Sequence, residues 1–504
     1  MLFHRYGPSG TPVPTKVSTD FIGIAAKLIK AFLVTFFSKK VIDKSKFEQE
    51  IVMDKYIVKT PCGEVRGTDC RLDGVVAFKG IRYATAGRWE YPKQVTEWDG
   101  IYDATEYGNC AYQPRTFMNE AENPNKKFYY KEFREGIEYT YSEDCLVLNI
   151  WKPENAKEGD KLPVLFYIHG GGFTGGCANE KHFDDPVWAQ KGIIAVSINY
   201  RLGPLGFLTL PELKEEAGCT GNYGLYDQLC AMHWVRDNIS AFGGDPDAVT
   251  IMGQSAGAMS VQQHCLSPLS KGLFRGAVMS SGGGVHKVLS ADSAEKMYDF
   301  WHAVMKNCGA ENLEQFRAVA PEKLFEAWQR TQKELKKPAS CFPCIDGELV
   351  IGTGCDLFAK GKQHDINYMA GSTSHDMMPP FIYSMSQKWC EGQKKSSYVW
   401  FFDRILPDET YGAWHSSDLW YWFDTLDNGW RPWTEKDRAL ASLMSDYLVY
   451  FVKTGDPNGE EMPKWESVQN SKKALFLGEN EPKMSKPSSL KLWHTMLTNK
   501  NVGF

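Results

Sequence analysis

From about residue 55 onward, short continuous apolar runs alternate with stretches of helical spacing. Residues 164–168, 193–198, 249–252, 276–279 and 366–370 are apolar and rich in β-branched side chains. They lack the in–out alternation of a strand with one wet face, so they predict strands of a parallel sheet covered on both faces. Between them, residues 226–239, 258–265 and 293–307 carry helical periodicity, and 434–453 forms a longer amphipathic helix that stops at Gly455-Asp456-Pro457. Strand–helix alternation sustained over several hundred residues predicts a doubly wound α/β architecture in one large domain, residues 55–504.

Residues 1–54 read as an N-terminal extension. Phe21, Ala25, Leu28, Phe32, Leu33 and Phe36 recur at helical spacing, with Thr19 or Asp20 in position to cap. Lys27 and Lys30 interrupt the apolar stretch, which is shorter than the roughly 20 residues of a spanning helix. The pattern best suits a helix that covers an apolar patch of this chain or of a second subunit. A helix lying on an anionic membrane surface through residues 21–38 is the second reading, and an uncleaved secretory anchor the third.

Composition narrows the function. The chain has 504 residues, 57 Lys and Arg against 62 Asp and Glu, and a formal charge of −5, with 43% hydrophobic residues. This excludes a disordered chain and argues against nucleic acid as a partner. Thirteen cysteines at irregular spacing predict reduced thiols in a cytoplasmic protein, peripheral to a membrane on the second reading of the helix above. Cys341-Phe-Pro-Cys344 stands alone, without a second CxxC or a histidine pair, and reads as structural. Nine of the sixteen tryptophans fall from Trp389 onward, which makes the last fifth of the chain aromatic.

The chemistry concentrates at Gly253-Gln254-Ser255-Ala256-Gly257. A strand runs into this GxSxG sequence and a helix leaves it. A serine on so sharp a turn needs neighbours without side chains, which Gly253 and Gly257 supply. The helix N-terminus behind it offers free N–H groups to a forming anion. His169-Gly170-Gly171-Gly172-Phe173 follows the strand 164–168, and consecutive glycines leave backbone N–H donors open to an oxyanion. No Lys-Ser/Thr or GxGxxG follows, which argues against a nucleotide loop.

Serine needs a base. His233 and His264 fall within helices, where packing or exposure explains them. In this type of fold the chain order is serine, acid, histidine. His415 is therefore the candidate base and His494 the weaker one. Asp376, after the strand 366–370, is the candidate acid, and Asp346 in Ile345-Asp346-Gly347 competes with it.

At this point the chain resembles a type-B carboxylesterase of the cholinesterase-like α/β-hydrolases. The matches run in order: Gly63-Glu-Val-Arg-Gly, Phe78-Lys-Gly-Ile-Arg-Tyr-Ala, Ser142-Glu-Asp-Cys-Leu, His169-Gly-Gly-Gly-Phe, Asn199-Tyr-Arg-Leu-Gly-Pro, Gly221-Asn-Tyr-Gly-Leu, Phe242-Gly-Gly-Asp-Pro and Gly253-Gln-Ser-Ala-Gly. The resemblance implies the α/β-hydrolase fold, with a mostly parallel sheet covered by helices on both faces. It implies Ser255 as nucleophile, His415 as base, Asp376 as acid, and the N–H groups of Gly171, Gly172 and Ala256 as the oxyanion hole. It also implies a salt bridge between Glu143 and Arg201.

Departures from the family sharpen the expectation. Asp376 stands where many relatives have Glu, with His375 beside it, and Gln254 where many cholinesterases carry Glu. Cys110 and Cys145 occupy positions at which secreted relatives form a disulfide, and a cytoplasmic setting would keep them reduced. No Trp lies between them to stack on a choline cation. Phe173, Gln254, Trp414 and Trp420, with Phe381, Tyr383 and Trp422, suggest a pocket of neutral rings. The expected activity is hydrolysis of neutral, apolar or aryl esters through an acyl-enzyme, with no metal or organic cofactor. An amide, carbamate or lactone hydrolase with the same triad, and a non-catalytic binding protein of the same fold, are the alternatives. Substrate identity and oligomeric state are left open.

Overall fold

Buried hydrophobic runs pair into one eleven-stranded sheet. In chain order its strands are β1 (Thr68–Asp69), β2 (Val75–Arg82), β3 (Val147–Pro153), β4 (Leu162–Ile168), β5 (Ile194–Ile198), β6 (Gly244–Gln254), β7 (Gly276–Ser280), β8 (Asn367–Thr373), β9 (Ser397–Phe402), β10 (Ala474–Leu477) and β11 (Lys483–Ser485). Across the sheet they run β11-β10-β9-β8-β7-β6-β4-β5-β3-β2-β1. The stretch from β5 to β10 is parallel, and the edges are antiparallel. All five runs expected as buried strands are strands, β4 to β8. This is a computed structural model, which describes residues 56–287, 291–337 and 340–498. The N-terminal extension and the helix expected over 21–38 lie outside the described residues.

The helices that matter to the site are α1 (Lys127–Phe133), α2 (Tyr223–Asn238), α3 (Ala256–Leu266), α4 (Tyr298–Asn307), α5 (Leu419–Phe423) and α6 (Glu435–Thr454). The helix expected over 293–307 begins only at Tyr298, because Asp292–Ser293 pairs with Cys344–Ile345 as a small separate sheet. α6 obeys its sequence signals. Thr434 and Asp437 cap one another reciprocally at its start, and Gly455 ends it at φ +80°. Among the described residues no helix is long and apolar enough to cross a membrane.

Most of the late tryptophans belong to the core. Trp400, Trp414, Trp420, Trp422 and Trp465 are all at most 2% exposed, in a cluster with α6 and the sheet. One implied ion pair is corrected. Arg201 pairs with Asp227 of α2 at 2.7 Å, whereas Glu143 pairs with Arg88. The Arg201 guanidinium is buried and needs an equally buried carboxylate. Asp227 is fully buried, while Glu143 sits at a half-exposed rim. The thirteen cysteines are free thiols. Cys110 Sγ donates to Asn179 Oδ1 at 3.3 Å, and Cys145 is a separate buried thiol. Cys341 and Cys344 are buried.

Candidate active site

The C-terminal ends of β4, β6 and β8 converge, as expected where ligands bind in open α/β sheets. β6 delivers Ser255 at φ +56°, ψ −123°, in a backbone region that an L-residue enters only under constraint. Two features supply the constraint. The Ser255 N–H donates to the Ser280 carbonyl of β7 at 2.8 Å, and α3 starts at the next residue. A Cβ on Gly257 would lie 2.1 Å from the Ile168 carbonyl oxygen, and one on Gly253 would lie 2.3 Å from Gly257. Both glycines are therefore required by close backbone approach.

β4 delivers the glycine loop. Gly171 and Gly172 have φ of +108° and +64°, and a Cβ on Gly171 would lie 2.2 Å from the Gly175 carbonyl oxygen. The loop is braced from within and from outside. The Gly175 N–H donates to the Gly171 carbonyl at 3.0 Å, and the Gly176 N–H to Gln113 Oε1 at 2.9 Å. Gly171 and Gly172 line the same cleft as Ser255. Ala256 follows Ser255 as the first residue of α3 and is 2% exposed.

β8 delivers Asp376. An isolated parallel bridge between His375 and Trp414 sets the next residues, Asp376 and His415, side by side. Gly412 permits that approach, since a Cβ there would lie 2.4 Å from the His375 ring. His415 Nδ1 is 2.6 Å from Asp376 Oδ1. Asp376 also accepts from the Met377 N–H at 2.9 Å, Ser281 Oγ at 2.6 Å and the Thr373 N–H at 3.2 Å. Burial by itself would raise this carboxyl, but His415 and the hydrogen bonds hold it below the usual carboxylate range. The Gln254 amide N–H donates to His415 Nε2 at 3.1 Å. That contact keeps a lone pair on Nε2 and a proton on Nδ1, the tautomer that a base facing Ser255 needs.

The rival candidates lie elsewhere. Asp346 closes its own turn, accepting from Asn222 Nδ2 at 2.6 Å and from the Glu348 and Val350 N–H groups. His494 is exposed on the last helix, Ser489–Thr498, and His233 is exposed on α2. His264 is buried between Ser270 Oγ and Gln228 Oε1. Sequence reasoning missed Asp418, which accepts from Ser280 Oγ at 2.8 Å and whose carboxyl burial raises to about 6. It also missed Ser281. Nothing local marks either residue, because both matter only through partners more than 90 positions away.

The cleft in front of Ser255 encloses about 570 Å³, within the usual range of small-molecule sites. Gln254 lines it as expected. Phe173, Trp414 and Trp420 do not, and neither do Phe381, Tyr383 or Trp422. Trp414 packs edge-on against Phe128 and Tyr129, and Trp420 packs on Phe133 and His182. Phe173 packs between Phe207 and Phe342. These rings support the wall from behind, where full burial suits large apolar groups. The surface itself is mixed. Tyr129, Phe133, Phe342, Met377 and Leu419 share it with Arg115, Glu120, Lys126, Arg134 and Glu180.

Arg115, Glu120, Arg134 and Glu180 form a buried network. Arg115 donates to Glu180 Oε1 at 2.7 Å and Arg134 to the same oxygen at 3.4 Å. Arg134 also holds both oxygens of Glu120, at 2.9 and 2.8 Å. Burial would raise the Glu180 carboxyl, but the two arginines lower it to about 2. Burial keeps His169 and His182 neutral, lowering them to about 4 and about 3.

The carboxylesterase family model matches residues 54–402 and 379–493. The para-nitrobenzyl esterase of Bacillus subtilis (strain 168) is 30% identical, over 87% of this chain and 99% of that protein. The acylcarnitine hydrolase of Mus musculus is 28% identical, over 88% of this chain and 91% of that protein. A solved thermophylic pNB esterase superposes with a TM-score of 0.75 at 27% identity, covering 88% of this chain and 100% of the other. The sheet just described is thus an α/β-hydrolase sheet, and matches of this extent make the chain a member of the carboxylesterase family.

Proposed function

We propose that this carboxylesterase cleaves its ester through a covalent acyl-enzyme on Ser255. His415 Nε2 takes the Ser255 proton as Oγ attacks the ester carbonyl carbon. Asp376 fixes the imidazole tautomer and stabilises the imidazolium that forms. The N–H groups of Gly171, Gly172 and Ala256 receive the negative charge on the former carbonyl oxygen, each worth about 2.7–4 kcal/mol of barrier. His415 then protonates the departing alcohol, and water deacylates Ser255 by the same route. The observation that carries this reading is the 2.6 Å contact between His415 and Asp376, beside a serine held at φ +56°.

The apolar part of the cleft supports aryl and short alkyl arms on the ester, and the para-nitrobenzyl esterase relative is in keeping with that. A cytoplasmic location is supported by the irregular set of thirteen cysteines. Membrane-surface contact through residues 21–38 is proposed from the sequence alone. A fluorophosphonate probe tests the assignment. Peptide mapping should find one adduct, on Ser255, with loss of p-nitrophenyl acetate hydrolysis in step. An adduct on another serine, or undiminished turnover after full labelling, would overturn it.

A further inference from the structure

The two acids on the cleft wall are already matched. Arg134 occupies both oxygens of Glu120, and Glu180 accepts from Arg115 and Arg134. Lys126 lines the same cleft and forms no ion pair among the described residues. The wall therefore presents three cations against two anions. The histidines that share it, His169 and His182, add no charge at neutral pH. The extra cation lines the same cleft as Ser255 and His415. Lys126 opens the turn that leads into α1, and Tyr129, three residues on, lines the cleft too and donates to the His415 carbonyl at 3.1 Å. Residues three apart on a helical turn share a face. Glu132 of α1 is locked to Arg431 at 2.6 Å, so the turn is held against the catalytic half.

The half-buried Lys126 ammonium feels the Glu120 carboxylate, but Arg134 holds both of its oxygens, so Lys126 gains most from an anion that arrives with the ligand. We propose that Lys126 is a specificity residue that receives a carboxylate carried on one arm of the ester, so that the preferred substrates are carboxylate-bearing esters with an otherwise apolar or aryl body. This rests on the acyl-enzyme reading above. The carboxylate takes no part in bond making. Only the ester C–O bond breaks, water supplies the hydroxyl of the released acid, and the alcohol leaves with a proton. The same excess charge opposes a choline-type cation, for which the cleft offers no unpaired acid among its described lining residues.

Two matched pairs of esters test this and place the anion. On the acyl arm, 4-nitrophenyl hydrogen adipate is compared with its terminal carboxamide. On the alcohol arm, 4-acetoxybenzoate is compared with 4-acetoxybenzamide. In one pair the carboxylate should raise kcat/KM by roughly tenfold or more, as a charge-assisted hydrogen bond would. Lys126→Glu should remove or invert that preference, and Lys126→Arg should keep it. No preference for either anion in the unaltered enzyme would overturn the proposal without any variant, and so would a preference that survives Lys126→Glu. If neither carboxamide were hydrolysed, nor p-nitrophenyl acetate, the ester-hydrolase reading itself would fail, which is a distinguishable result.

Discussion

The two sides of the cleft are built by opposite rules. On the catalytic side the reactive groups sit at strand ends, and backbone does most of the positioning: a strained serine, a glycine loop and a single β-bridge between His375 and Trp414. On the facing wall, charged side chains from residues 115–134 and 180, set in or at the ends of short helices and in the loop between them, hold one another. The first arrangement places atoms for chemistry with one buried carboxylate, Asp376, held by hydrogen bonds rather than by an ion network. The second creates a charged surface at a desolvation cost, which its ion pairs must offset. Damage on the two sides should therefore be read out differently, in rate on one side and in stability and binding on the other.

The largest effect belongs to the catalytic side. Ser255→Ala should lower kcat by about 10⁶-fold, and His415→Ala by about as much, because triad members act as a unit. Ser255→Ala keeps the Cβ and should leave the melting temperature within a few degrees. A large loss of stability there would mean that the serine also carries the fold. Next comes Asp376→Asn, with an expected loss of about 10⁴-fold through the wrong imidazole tautomer. Asp346→Asn is the control and should leave kcat within a few-fold, since Asp346 serves a separate turn. The reverse ranking in steady-state assays would move the acid.

On the wall, Glu180→Gln takes the carboxylate from buried Arg115, while Arg134 keeps both oxygens of Glu120, and should cost about 3–5 kcal/mol of stability at neutral pH. The sign with pH follows from the carboxyl being lowered to about 2. Its contribution is present above the unfolded value of about 4.3 and is lost as pH falls toward the folded one. The gap in melting temperature between the two proteins should therefore close between about pH 4.5 and 2. A gap independent of pH would show that shape, not charge, holds the wall.

The smallest effect tests the boundary between the sides. Gln254 hydrogen-bonds to His415 Nε2 at 3.1 Å. Gln254→Glu would set a carboxylate there and favour the imidazolium, moving the acid limb of kcat/KM upward. An unmoved limb would mean that Gln254 leaves His415 when substrate binds.

What could be read from the sequence divides along the same line. β4 to β8, the serine turn and the glycine loop were legible because each is fixed by neighbours a few positions away: β-branched runs demand strands, and close backbone approach demands glycine. The order of serine, acid and histidine narrowed the choice of partners, but the β-bridge decided for Asp376, by pairing two segments that are 39 residues apart. The pocket was the least legible part. Trp414 and Trp420 looked like lining and are core, because a ring's destination depends on which elements close over it and not on its own run of sequence. The same holds for Arg201, whose partner is Asp227, and for Lys126, ordinary in the sequence and exceptional only once its neighbours are paired. The sequence by itself determined the backbone geometry of catalysis, since those constraints are local and steric. Only the tertiary structure decided what faces the substrate, because burial and charge balance are properties of residues brought together from distant parts of the chain.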